Sequence, residues 1–301
     1  MSRGKVAVLG TGLMGAPMAA NLLAAGFEVT VWNRSKEKAG SLASRGAGLA
    51  GTPARAVADA DTVIVMLSSG PVCEEVLFGE HDAAAAMRKG AMLIVMSSIG
   101  MEEAQSLAAK AGAIGLRWLD APVSGGTPAA AAGTLSIMVG GEIDDVRKAN
   151  PVLSAMGRVV HIGPAGTGAL AKLVNQLLVA STIVAVSEAL LMAEKGGADP
   201  AKVREALLGG FAFSRILELH GQRIISANFE PGGPAKYQVK DTKAALEVAE
   251  KLDLDLPVLR LADELFSSLV DHGGGDLDHS ALFLELKRRN GVLPAGSALR
   301  N

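Results

Sequence analysis

Short runs of apolar and β-branched residues alternate with alanine-rich stretches through the first half of the chain. The strand-like runs are KVAVLG, FEVTVWN, DTVIVML, AMLIVMS, RWLDAPV, TLSIMVGG and VVHIG. Between several of them, MAANLLAAG, EKAGSLASRG and MEEAQSLAAKAG keep helical spacing and close on a glycine. Strand, helix, strand alternation predicts a parallel sheet wrapped by helices, and it stops near Gly163. After GPAGTG the spacing predicts one long helix from about Gly168 to Lys195. Further helices follow in PAKVREALL, SRILELHGQRII, TKAALEVAEKL, VLRLADELFSSLV and SALFLELKRR, with Gly and Pro in the gaps and Asp278 as N-cap of the last. The expected organisation is an α/β sheet domain over 1–164 and an all-helical domain over 165–301.

A chain of 301 residues is long for a single core, which agrees with two domains. The composition is 49% hydrophobic and 20% charged with 3% aromatics, so the cores are expected to pack from small and branched aliphatic side chains. A formal net charge of -2 supplies no electrostatic attraction for nucleic acid or an anionic membrane. The longest apolar run, Leu177 to Ala193, is broken by Ser181, Thr182, Ser187 and Glu188 and reads as a buried helix rather than a membrane span. The N-terminal MSRGKVAVLG enters a strand at once and leaves no room for a signal peptide, and the one cysteine, Cys73, fits a reducing compartment. The cytoplasm is therefore expected. No neighbouring His or basic group marks Cys73 as an activated nucleophile. The five histidines show no ligand spacing, so no metal is expected. Asp144, Asp145, Glu102 and Glu103 read as solvated helix starts.

VAVLGTGLMG carries Gly10, Gly12 and Gly15 in the spacing G-x-G-x-x-G, between a strand and a helix. In that context the first glycine permits a tight turn, the second lets backbone approach a pyrophosphate, and the third lets helix and strand pack closely. Thr11, Leu13 and Met14 complete the loop, and the helix N-terminus offers free N–H groups to phosphate. The next strand ends in VWNRS. Asn33 stands where an NAD site places a carboxylate, with Arg34 and Ser35 following. Without that carboxylate a 2′-phosphate is not repelled, and a guanidinium can pair with it or stack on adenine. Lys38 could add charge. The expectation is NADP(H) over NAD(H).

DAPVSGGTPAAAAGTLSIMVGG, the MSS of Met96 to Ser98, the segment GALAKLVNQ and the KD of Lys240 and Asp241 follow the glycine loop. With it they resemble the β-hydroxyacid dehydrogenase family, which includes 3-hydroxyisobutyrate dehydrogenase and tartronate semialdehyde reductase. The resemblance covers essentially the whole chain, and KLVNQ with the late DHSAL lies nearest the tartronate semialdehyde reductase branch. It implies an N-terminal Rossmann domain, a doubly wound parallel sheet, joined by a long helix to an all-α domain, in a homodimer or homotetramer. It also implies an oxidoreductase acting on a short carboxylate substrate, with Lys172 as general acid and base. The chemistry agrees, because hydride addition leaves charge on a carbonyl oxygen that an ammonium can stabilise and protonate.

By the same resemblance Ser124, Gly125 and Gly126 hold the substrate carboxylate. Asn175 bonds the substrate or directs the lysine, and Gln176 stands where many relatives have a second asparagine. Lys240 lies near the nicotinamide or the substrate. Met66, Leu67 and Ser98 pass the cofactor, although Met66 and Leu67 read equally well as core. The implied activity is NADPH-dependent reduction of a short 3-oxo acid, tartronate semialdehyde first. Serine, 3-hydroxyisobutyrate, succinic semialdehyde, threonate and sulfolactaldehyde remain open as substrates. An imine reductase or a non-catalytic NADP-binding module would share the architecture but generally lacks the lysine. Phe211, Phe213, Arg215 and Phe229 are unranked candidates for reading the β-carbon substituent, and His279 reads as a cap or surface residue.

Overall fold

The computed structural model describes residues 3–35 and 37–293, except for the side chains of Lys38 and Ala39. The expectation for Lys38 therefore lies outside the described residues. Two compact units divide the chain, Met1–Lys172 and Leu173–Asn301.

The first unit holds a nine-stranded sheet. Its strands are β1 (Lys5–Leu9), β2 (Glu28–Trp32), β3 (Gly48–Leu49), β4 (Thr62–Val65), β5 (Met92–Val95), β6 (Arg117–Asp120), β7 (Val123–Ser124), β8 (Leu135–Gly141) and β9 (Gly157–Gly163). They run in the order β3-β2-β1-β4-β5-β6-β8-β7, with β9 on β8. Pairing is parallel from β3 to β6, antiparallel at β6–β8 and β7–β8, and parallel again at β8–β9.

Alternate residues of each central strand feed two separate cores. Val6, Val8, Ile64 and Ile94 face one layer, built from α1 (Gly15–Ala24), α2 (Glu37–Ala43) and two helices further along the chain. Ala7, Leu9, Val63, Val65, Leu93 and Val95 face the other, built from α3 (Pro53–Val57), α4 (Gly70–Phe78) and α5 (Met101–Ala113). The helices completing the first layer are α6 (Gly126–Ala132) and α7 (Ile143–Leu153), through Ala130, Val146, Ala149, Val152 and Leu153. Burial on both faces is why these strands read as unbroken apolar runs. This is a doubly wound Rossmann fold, with its switch point between β1 and β4.

RWLDAPV, expected as one strand, is split. β6 stops at Asp120, and Pro122, which has no N–H, precedes β7, which rejoins β8 in the same antiparallel register. Asp145, expected to be solvated, is buried and pairs with Arg117 of β6. Glu103 closes the first turn of α5 by accepting from the Gly100 N–H at 2.7 Å.

Helix α8 (Thr167–Lys195) has 29 residues. It is long and apolar enough to cross a membrane by length and composition, yet Ala180, Ile183, Leu190 and Leu191 lie in the core of the second unit. That unit continues as α9 (Pro200–Leu208), α10 (Arg215–Ile225), α11 (Ala235–Lys251), α12 (Pro257–Leu269) and α13 (Leu282–Arg289). A π-helical turn at Val270–Gly274 and a 3₁₀ turn at His279–Ala281 precede α13, and Asp278 caps the 3₁₀ turn through the Ser280 N–H. Among the described residues no strand follows β9.

Candidate active site

The carboxyl ends of β1, β2, β4 and β5 meet at the switch point. Gly10 takes φ +101°, and a Cβ there would lie 2.2 Å from the Met66 carbonyl oxygen. A Cβ on Gly15 would lie 1.9 Å from the Gly10 carbonyl, so α1 can pack this tightly only with glycine at both positions. Gly12 has no atom within 4 Å of where its Cβ would stand, and no side chain caps the first turn of α1. The result is an open cradle of backbone at a helix N-terminus. Thr11 Oγ1 beside it is buried without a hydrogen-bond partner among the described residues. An orphaned hydroxyl at an uncapped glycine turn fits a nucleotide that supplies the missing partner.

Asn33 is tied into this loop. Its Oδ1 accepts from the Thr11 N–H at 3.0 Å, and its Nδ2 donates to the Ser35 carbonyl at 3.0 Å. Arg34 and Ser35 are exposed, Leu13 is exposed and Met14 is half-buried. Met66 and Leu67 are half-buried, one packed against each core of the sheet. Ser98 is also half-buried. Sequence reasoning did not single out Ser97, which is buried: its Oγ accepts from the Leu67 N–H at 2.7 Å and lies 3.3 Å from Cys73 Sγ. Its place in MSS was the available signal.

Ser124 ends β7 and is half-buried. Gly125 follows at φ +129°, where a Cβ would lie 2.5 Å from that of Ala129, and Gly126 opens α6 with no side-chain cap. Strand end, glycine turn and bare helix start together present N–H groups to an anion. Asp120 of the same motif does different work. Its fully buried carboxylate accepts from the Gly166 and Ala169 N–H groups at 2.8 Å each, anchoring the start of α8. Burial pushes this carboxyl above its usual range, against the pull of the two N–H groups.

Lys172 lies in the second turn of α8 and is only 8% exposed. Asn175 and Gln176 follow one turn along the same helix. In the helical unit Gln176 is buried with Gln238, Asp241 and Thr242 of α11. Gln176 Nε2 donates to Asp241 Oδ2 at 2.7 Å, and Asn175 Nδ2 donates to Gln176 Oε1 at 2.8 Å. Lys240 Nζ lies 3.1 Å from Asp241 Oδ1. Sequence reasoning named Lys240 but gave no role to Asp241 or Gln238. It started this helix near Thr242, whereas α11 begins at Ala235.

His220, Asp278 and His279 come together with potential ligand atoms within 4.8 Å of one another. The Asp278 carboxylate is already occupied by the N–H groups of Gly232, Gly233 and Ser280, the Ser280 hydroxyl, and Arg223 at 3.3 Å. The cluster thus ties the Gly232–Gly233 loop to α10 and the 3₁₀ turn. Burial holds His220 below the usual imidazole range. Burial also opposes ionisation of Asp278, but His279, Ser280 and Arg223 outweigh it and hold that carboxyl below its ordinary value. Of the remaining candidates, Phe211 and Phe213 are exposed, Phe229 is buried, and Arg215 pairs with Glu218 at 2.5 Å.

Comparison with known proteins decides the family. The family described as the NAD binding domain of 6-phosphogluconate dehydrogenase matches residues 5–163. The family described as the NAD-binding of NADP-dependent 3-hydroxyisobutyrate dehydrogenase matches residues 166–286. The 2-hydroxy-3-oxopropionate reductase of Escherichia coli K12 is 43% identical over 284 residues, covering 94% of this chain and 97% of its own. The chain belongs to the β-hydroxyacid dehydrogenase family. It is also 38% identical to a probable 3-hydroxyisobutyrate dehydrogenase-like protein of Arabidopsis thaliana, over 97% of this chain and 87% of that one. The solved structure of Mycobacterium tuberculosis 3-hydroxyisobutyrate dehydrogenase with L-serine superposes at a TM-score of 0.87, with 32% identity over 95% of this chain and 100% of the other. As a β-hydroxyacid dehydrogenase, the protein is an oxidoreductase that uses a nicotinamide cofactor and acts on a CH–OH group.

Proposed function

We propose that this β-hydroxyacid dehydrogenase reduces a short 3-oxo acid with NADPH, tartronate semialdehyde to glycerate first, and runs reversibly. The observation that carries the reading is Lys172, a lysine more than nine-tenths buried on an otherwise apolar helix with two amides one turn away. Lysine is among the residues least often buried, so its placement here calls for a chemical reason. A bound nicotinamide supplies the hydride. Lys172 stabilises the charge that develops on the aldehyde oxygen and gives that oxygen its proton, and in reverse its neutral amine takes the proton back. The Ser124 hydroxyl and the N–H groups of Gly125 and Gly126 hold the carboxylate. The backbone of residues 10–15 holds the pyrophosphate, and Arg34 takes the 2′-phosphate. Lys240 serves the nicotinamide end of the cofactor or the substrate. The choice of substrate is supported by the similarity to the Escherichia coli protein named 2-hydroxy-3-oxopropionate reductase and by the KLVNQ and DHSAL segments.

A homodimer or homotetramer in the cytoplasm belongs to the same reading. The test is initial rates with NADPH and with NADH across a panel of semialdehydes, for wild type and Lys172→Ala. The variant is expected to bind cofactor nearly as wild type and to lose turnover by roughly a hundredfold or more. Retained turnover would remove Lys172 from the chemistry.

A further inference from the structure

Asn175 and Gln176 adjoin in sequence, and the bond between their side chains determines which atom each amide has left to offer. The assignment starts at Asp241, because a carboxylate only accepts hydrogen bonds. The Gln176 atom 2.7 Å from Asp241 Oδ2 is therefore the nitrogen. The same Nε2 faces Gln238 Oε1 at 3.5 Å, while Gln238 Nε2 donates to the Gln176 backbone carbonyl at 3.2 Å, which holds the second amide in a matching sense. Lys240, 3.1 Å from Oδ1, occupies the other oxygen of Asp241 and keeps the carboxylate from turning away. With its nitrogen committed, Gln176 presents Oε1 to Asn175, whose facing atom must then be Nδ2, at 2.8 Å. Asn175 is left with its carbonyl oxygen, an acceptor. Turning either amide over would set oxygen against oxygen in a buried network.

We infer that Asp241 and Gln176 are positioning residues that fix Asn175 as a hydrogen-bond acceptor, and that Asn175 reads a hydroxyl on the substrate carbon next to the aldehyde. The inference rests on the function proposed above. Asn175 follows Lys172 by three residues on one helix, so the two side chains lie on nearly the same face. An aldehyde oxygen and a carboxylate both lack a hydrogen to give to Oδ1. On a short 3-oxo acid the group that can donate is a hydroxyl substituent on the carbon between them. A hydrogen or a methyl in its place leaves Oδ1 without a partner once water is displaced, and a site built around a polar partner discriminates strongly against the analogue lacking it.

The experiment compares kcat/KM for 2-hydroxy-3-oxopropanoate and 3-oxopropanoate at saturating cofactor, in wild type, Asn175→Ala and Asp241→Asn, with circular dichroism to check folding. Wild type is expected to prefer the hydroxylated acid by at least about a hundredfold. Asn175→Ala removes the acceptor, and Asp241→Asn lets both amides turn over so that an N–H is offered instead. Each is expected to bring the ratio to within about tenfold of unity. If Asn175 only aimed Lys172, or Asp241 only held α11 in place, both substrates would slow by the same factor and the ratio would stand, which overturns the inference. Equal use of the two acids by wild type overturns it as well while leaving the proposed reductase intact. Reduction of neither acid removes the proposed function and the inference together. Should Asp241→Asn fail to fold, the wild-type ratio and Asn175→Ala still decide.

Discussion

Asn33 accepts from the Thr11 N–H and donates to the Ser35 carbonyl, so the residue at the end of β2 is spent on holding the glycine loop. The neighbouring guanidinium of Arg34 is exposed and makes no hydrogen bond or ion pair with the described residues. A phosphate held by such a group gains charge-assisted bonds on the order of 1.5–3 kcal/mol. Arg34→Asp is therefore expected to lower the NADPH-to-NADH ratio of kcat/KM by roughly ten- to a hundredfold, from the same range. Initial rates with each cofactor read the effect, and an unchanged ratio would remove Arg34 from cofactor choice. At this scale a candidate was legible where a residue contradicts its surroundings. Lys172 stands out in an apolar segment, and Arg34 stands out beside a missing carboxylate. Asp241 and Gln238 do not stand out. In a string of letters a buried polar residue looks the same as a solvated one until its partner across the core is known.

Helix α8 begins where it does because Asp120, at the end of β6, accepts from the N–H groups of Gly166 and Ala169. Helix starts leave such donors unsatisfied, and a buried one without a partner costs about 1–3 kcal/mol. Asp120→Ala strands two of them and is expected to destabilise the sheet unit by about 2 kcal/mol or more. Asp120→Asn keeps one acceptor oxygen and should cost less. Trp32 and Trp118, the two tryptophans of the chain, both lie in that unit, so fluorescence during urea unfolding reports on it directly. An unchanged midpoint in both variants would refute the anchoring role.

Among the elements, β1, β4 and β5 were legible because burial on both faces writes a continuous apolar run. Two-residue β3 and β7 are too short to leave a pattern. The first turns of α11 were missed because their inward positions, Gln238 and Asp241, are polar, which erases the periodicity that betrays a helix.

In the molecule as a whole, Val174, Leu178, Ala185 and Met192 are exposed along one side of α8. The steps from Leu178 to Ala185 and from Ala185 to Met192 repeat every seven residues, the spacing of a seam that receives another helix. A second copy offers the same seam, and a two-fold pairing is the commonest way such a surface is covered. The proposed homo-oligomer makes Leu178→Glu its test. Light scattering should find wild type as a dimer or tetramer and the variant shifted toward monomer, whereas a monomeric wild type would refute the assembly.

Helix α8 has one further consequence. Lys172 closes the sheet unit and Asn175 and Gln176 open the helical one, yet all three are borne by a single unbroken ladder of backbone bonds. Each residue of a helix turns the chain by about 100°. One residue lost between 172 and 175 would carry Asn175 away from the face that bears the ammonium, and one gained would carry Gln176 away from it. Loops can lengthen or shorten, but across these few positions the proposed site depends on the number of residues as well as on their identity.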